Sequence, residues 1–124
     1  MANHLLTKTL TADGAVAQHR IVKATANGKV AQAAAATDLL YGVSDELGAD
    51  DGERADVHLV GVADVEYGGD VDLGDLLTSD AGGRAVVAGA AGTTHRVIGT
   101  ACVAGVAGDI GCVLLDRSAL TTPA

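Results

Sequence analysis

The sequence predicts an all-β fold: a small β-barrel or β-sandwich of short antiparallel strands with an extended N-terminal arm. Three observations predict it. The odd positions from Val57 to Tyr67 read Val, Leu, Gly, Ala, Val, Tyr, and the even positions from Asp56 to Glu66 read Asp, His, Val, Val, Asp, Glu. A period of two held this long belongs to a strand buried on one side and solvated on the other. Asn27-Gly28 lies between two β-compatible runs, and this dipeptide signals a hairpin because both turn positions tolerate φ > 0. Elsewhere short apolar runs alternate with glycine turns, and helical periodicity is nearly absent.

The elements follow in order. Residues 1–13 read as an arm, closed by the Asp13-Gly14 turn. Ile21 to Thr25 and Lys29 to Gln32 are the two arms of the hairpin. Ala33 to Ala36 could begin a helix, but Thr37-Asp38 caps or breaks it, so a turn or single helical turn leads into a strand over Leu39 to Val43. Ser44 to Arg54 is an acidic loop with Gly48 and Gly52. The central strand then runs from Val57 to Tyr67, with Leu59, Val65 and Tyr67 buried, Asp64 and Glu66 exposed, and a bend or bulge at Gly61. Gly68-Gly69 and Gly74-Asp75 mark turns, and Leu76 to Thr78 and Arg84 to Val87 are short strands. Thr94 to Val103 and Cys112 to Asp116 pair across the glycine-rich stretch from Gly105 to Gly111. The expected organisation is an arm at 1–13, a β-rich domain at 14–117 and a flexible tail at 118–124.

Composition bounds the function. The 124 residues contain no Phe or Trp and two Tyr, so Ala, Val and Leu supply nearly all the core material. A fully buried Val or Leu contributes about 1.5–3 kcal/mol and Ala much less. The seventeen glycines add backbone entropy that folding must overcome. So thin a core suggests oligomerisation or docking on a larger partner. Sixteen acidic against eight basic residues give a net charge of −8 with no basic cluster, which argues against a nucleic-acid partner. No long uninterrupted apolar run suggests a membrane span, and the residues around His4 and Lys8 do not read as a signal peptide. Two cysteines make no disulfide framework, and synthesis in a reducing compartment is expected.

No catalytic or metal site emerges. With Asp70 as first ligand of a calcium loop, the twelfth position is Ala81, where a bidentate Glu is required. Asp50-Asp51-Gly52-Glu53 reads as a solvated loop. His4, His19, His58 and His95 never fall at metal-ligand spacing. No Ser sits in a nucleophile elbow, no phosphate-binding Gly-rich loop occurs, and Lys29 lacks the flanks of a lipoyl or biotinyl site. No cofactor is expected. Cys102 and Cys112 are equidistant from residue 107, so a symmetric hairpin sets them opposite each other, on the face of Ile98 and Leu114. A disulfide there is conceivable, and two small buried hydrophobes explain the pair as well.

The arm carries the candidate contact residues. Leu5, Leu6 and Leu10 are apolar, while Thr7, Lys8 and Thr9 are β-compatible polar positions. Such a segment can add a strand to a neighbouring sheet edge, which singles out Asn3, His4, Leu5, Leu6, Thr7 and Lys8. The same residues equally suit the first strand of the domain itself.

Read in order, Asn27-Gly28-Lys29-Val30, Leu40-Tyr41-Gly42-Val43-Ser44 and Gly61-Val62-Ala63-Asp64-Val65 begin a familiar succession. Leu73-Gly74-Asp75-Leu76-Leu77 with Asp80 and Gly83, Val97-Ile98-Gly99-Thr100-Ala101 and Val113-Leu114-Leu115 complete it. This succession resembles the bacteriophage capsid-decoration (cement) proteins, long a domain of unknown function. The resemblance implies a β-rich homotrimer, made in the host cytoplasm, that docks on the outside of an expanded phage head. There it would clamp neighbouring copies of the major capsid protein, without catalysis, nucleic acid or membrane, and residues Asn3 to Lys8 would touch the capsid. Other readings are a tail or fibre module binding a protein or glycan, for which aromatic residues are scarce, and a small hydrolase using Asp64 and Glu66.

Overall fold

A computed structural model describes the main chain of residues 3–26, 28–88 and 94–121, and the side chains of 6–26, 28–88 and 96–117. Among these residues there are nine strands and no helix. They are β1 (Asn3–Ala12), β2 (Ile21–Ala26), β3 (Lys29–Gln32), β4 (Leu40–Ser44), β5 (Arg54–Glu66), β6 (Leu76–Ser79), β7 (Ala85–Val87), β8 (Thr94–Ala101) and β9 (Ile110–Thr121). Strands β1, β3, β2, β4 and β5 are joined in that order, and β5 pairs back onto β1, closing a barrel of five staves. The C-terminal half of β5 continues into β9, β8, β6 and β7 as a sheet extension. All strand pairs are antiparallel except β1–β3, where Thr11 and Ala12 lie beside Lys29 and Val30 in parallel.

β5 is the stave that both halves share, and it carries the expected alternation. Val57, Leu59, Ala63, Val65 and Tyr67 are buried. Val57 and Leu59 pack with Leu10, Ala12, Val16, Val22 and Val30 in one core. Ala63, Val65 and Tyr67 pack with Ile21, Val43, Leu77, Ile98 and Val113 in a second. Gly61 separates the two sets and has φ +100°, a conformation L side chains rarely adopt. The expected bend is therefore where β5 leaves one core and enters the other. The register of β1 against β5 shifts next to it, between His4 and Thr7.

The hairpin forms as β2 and β3, with Gly28 at φ +72° in its turn; Asn27 lies outside the described residues. The segment after Ala33 is a turn, because the Asp38 carboxylate accepts the Ala34 and Ala35 N–H groups at 2.8 and 3.0 Å. The β8–β9 hairpin is centred as the cysteine spacing implied, with Ala101 opposite Val113 and Thr100 opposite Leu114.

Four expectations need correction. The N-terminal segment does not stand off as an arm: β1 pairs with β5 from Asn3 to Thr11, and Leu10 and Ala12 are buried in the barrel. The last strand does not end at Asp116: β9 continues to Thr121 with its main chain paired to Thr94–Val97 of β8, and residues 122–124 lie outside the described residues. Asp64 and Glu66 are half-buried instead of exposed. Glu66 is drawn inward by two cations, Arg84 and Arg20, the latter at 3.5 Å. Finally, Ile98 is buried while Leu114 is half exposed, so the two do not share a face; the register shift between Val97 and Gly99 lies between them.

Candidate functional site

The even positions of β5 should face water, yet Val60 and Val62 interrupt the polar series. Their neighbours follow from the register. Val62 lies opposite Asn3 of β1 and Leu114 of β9; Leu114 lies opposite Thr100 of β8; Thr100 lies opposite Leu76 of β6. Directly opposed residues project from the same side of a sheet, so this row crosses five strands on one face. Leu6 opposite Val60 extends it. Most apolar members are open to solvent: Leu6 and Leu114 are 51 % exposed, Leu76 40 % and Val60 39 %, while Val62 is half-buried. Scattered surface leucines need no explanation, but a contiguous uncharged row across five strands does.

Acidic groups edge the row. Asp64 follows Val62 by two residues and Asp116 follows Leu114 by two, so both lie along the same side of their strands. An apolar centre bordered by charge is the usual anatomy of a protein-docking surface.

The contact residues expected from sequence all lie on β1. The main chain of Asn3 and His4 is paired to β5, Leu5 falls at the register shift between His4 and Leu6, and the side chains of all three lie outside the described residues. Leu6, Thr7 and Lys8 are exposed. Thr7 Oγ1 is 2.9 Å from His58 Nδ1, and Thr9 Oγ1 donates to the Asp56 carboxylate at 2.8 Å. These bonds tie β1 to the outer side of β5. His58 itself is buried, one of the even positions that does not face water.

The groups considered for chemistry are occupied structurally. Asp75 accepts the Asp72 N–H at 2.9 Å and Glu53 accepts the Asp50 N–H at 2.9 Å, which is turn chemistry. Glu66, half of the carboxylate pair a hydrolase would use, is neutralised by Arg20 and Arg84. Among the described residues no group of three or more His, Cys, Asp or Glu could hold a metal ion, and no helix is long and apolar enough to cross a membrane. Cys102 and Cys112 are free thiols, Cys112 buried and Cys102 half-buried, with the Cys102 N–H donating to the Cys112 carbonyl at 3.0 Å. Burial, then a hydrogen bond with the Cys102 side chain and the nearby Asp64 charge, push the Cys112 thiol from 9.0 up to about 11. It is no nucleophile at neutral pH.

Sequence reasoning reached Asn3 and Leu6 and missed the rest of the row. The available signal was the pair of valines on the solvated register of β5. Leu114 gave no signal, because its neighbours Cys112 and Val113 are both buried.

Residues 2–115 match the model of a family described as phage cement protein. No curated protein matches the chain. Among solved structures, the crystal structure of the N base of head fiber gp8.5 from bacteriophage phi29 is similar, with a TM-score of 0.66 and 23 % sequence identity. That likeness covers 93 % of this chain and 97 % of the other, and at such identity it establishes a common fold.

Proposed function

The chain belongs to the phage cement protein family, and from that premise we propose that it binds the outer surface of an expanded phage capsid and stabilises contacts between major capsid proteins. The coarser statement, a capsid-associated structural protein, follows from the family itself. The observation that carries the finer reading is the uncharged row Leu6, Val60, Val62, Leu114 and Leu76, in which Leu6, Val60, Leu114 and Leu76 stay exposed among the described residues while Val62 is half-buried. Covering a half-exposed leucine removes apolar surface worth about 1 kcal/mol, and several act together when one partner lies across all five strands. We assign Leu6, Thr7 and Lys8 to the β1 end of that contact, with Asn3, His4 and Leu5 as further candidates. The acidic border formed by Asp64 and Asp116 favours a basic or polar rim on the capsid protein. The homotrimer implied by the family resemblance belongs to the same proposal, as does a non-enzymatic role made in the host cytoplasm and carried on the virion.

The test mixes purified protein with expanded, undecorated heads and measures the bound fraction by co-sedimentation. Leu114→Asp places a charge in the middle of the row without touching either core. The expected result is at least a tenfold loss of head affinity with an unchanged melting temperature. Undiminished binding by Leu114→Asp and Val60→Asp would remove this face from the contact.

A further inference from the structure

A cleft of about 400 Å³ opens where the start of β4 meets β8 and β9, lined by Ala24, Leu39, Tyr41, Arg96, Val97 and Arg117. Its floor is largely apolar and its charge is positive. Arg96 and Arg117 are exposed, and Arg117 donates to the Leu59 carbonyl at 2.5 Å. Neither takes part in any of the three ion pairs found among the described residues. In a chain with a net charge of −8, two guanidinium groups that pair with no carboxylate of the described residues around one apolar cleft suit an acidic segment that also carries an apolar side chain.

The chain itself carries such a segment. Leu47, in the loop after β4, is 84 % exposed, more than any other large apolar residue among those described. The Asp45 carboxylate accepts the Leu47 N–H at 3.0 Å, which fixes the loop main chain beside the leucine. Glu46 is exposed next to it, and Asp50 and Asp51 follow. The loop thus offers one leucine among carboxylates, the complement of a cleft that offers Leu39 and Tyr41 among guanidiniums.

We infer that the Leu47 loop of one copy docks in the Arg96–Arg117 cleft of a second copy. The leucine would lie on Leu39 and Tyr41, with Glu46 facing the arginines. Cleft and loop lie at opposite ends of β4, whose span from Leu40 to Ser44 is roughly 13 Å at strand rise, so a chain cannot fill its own cleft. The contact is therefore head-to-tail. Such an interface repeats from copy to copy and closes into a ring where its rotation allows. This deepens the homotrimer part of the proposal above and rests on it. It is independent of the capsid, because the Leu47 loop and the Arg96 cleft lie outside the row around Leu114.

The experiment measures association of the full chain in solution, without heads, by sedimentation velocity over a dilution series. Wild type is expected to associate, more weakly at high salt. Leu47→Asp and Arg96→Glu should each weaken association at least tenfold, and Glu46→Arg combined with Arg96→Glu should recover most of it by exchanging the charges across the contact. All three side chains are exposed, so none of the changes removes a core residue. A wild type that stays monomeric at every concentration overturns both the oligomer and this interface. Association that is indifferent to Leu47→Asp, or a double variant no better than Arg96→Glu alone, overturns the interface and leaves the oligomer standing.

Discussion

A methyl group added at Gly111 should be among the most damaging single changes to this protein. Its carbon would lie 2.5 Å from Tyr67 Cε2 and closer still to Cζ and Oη, nearer than non-bonded carbons approach. The Tyr67 ring cannot swing away cheaply. It is fully buried, its hydroxyl donates to the Val103 carbonyl at 2.7 Å, and Gly105 lies against its Cδ2 edge. Overpacking of this kind costs about 1–3 kcal/mol. If the ring shifts, the hydroxyl bond is lost as well, adding about 0.5–1.5 kcal/mol. A stiffer unfolded chain returns only about 0.4–1 kcal/mol, so the net effect of Gly111→Ala is destabilisation. A net loss of ~2–3 kcal/mol corresponds to a fall of about 10 °C in melting temperature for a domain of this size. Thermal melting checks this directly, and a double-mutant cycle checks the cause. In a Tyr67→Leu background the methyl has room, so Gly111→Ala should cost under ~1 kcal/mol there, a strong departure from additivity. Equal costs in both backgrounds would show that the ring is not what excludes the methyl.

Other perturbations report on separate parts of the fold. The Cys112 thiol is held neutral, so its stabilisation is complete below pH 9 and is lost as pH rises from 9 to about 11, at most ~3 kcal/mol. Urea midpoints should fall over that range, and Cys112→Ala should flatten the curve between pH 9 and 10, below the titration of Tyr67, whose pKa burial raises above 10.0. Glu66→Gln leaves the largely buried Arg20 without its carboxylate, while Arg20 Nε already has no partner. A loss of about 1–2 kcal/mol is expected in chemical denaturation, with reduced salt sensitivity. Deleting residues 2–10 removes β1 pairing from Asn3 to Leu10 and opens the barrel, so the truncated chain should lose cooperative melting; a folded truncation with wild-type melting would restore the arm.

The legible parts of the fold were those with local causes. The alternation along β5 and the turn between β2 and β3 are written in adjacent residues, and the symmetric spacing of Cys102 and Cys112 matches the register of β8 against β9 from Gly99 to Ala101, up to the shift at Val97. Closure of the barrel was not legible, because it rests on a two-residue parallel pairing of Thr11 and Ala12 with Lys29 and Val30, which has no sequence signature. The end of the chain misled for a related reason. Ser118 to Thr121 look like a polar tail, and only their pairing with Thr94 to Val97 makes them strand. For the candidate site, Leu6 stood out in a short apolar cluster. Val60 and Val62 were visible as exceptions to an alternating pattern, but their meaning depended on learning that Leu114 and Leu76 lie in line with them.

The position of that row follows from the division of the interior into two cores. Because β5 serves both, its inward side is fully committed on either side of Gly61, to Val57 and Leu59 before it and to Ala63, Val65 and Tyr67 after it. Its outward side at Val60 and Val62 falls where one neighbour gives way to another: Leu6 and Asn3 of β1 on one edge, Leu114 of β9 on the other. Among the described residues Val60, Leu6 and Leu114 remain exposed at this junction. Val60 is exposed, so a charge there would cost the isolated fold little and the monomer's stability does not require an apolar side chain at that position. Under the proposed capsid contact, the presence of Val60 and Val62 on the solvated register is accounted for by a surface that comes from outside the chain. For that reason Leu114→Asp, which leaves both cores intact, separates the docking role of the sheet from its structural one.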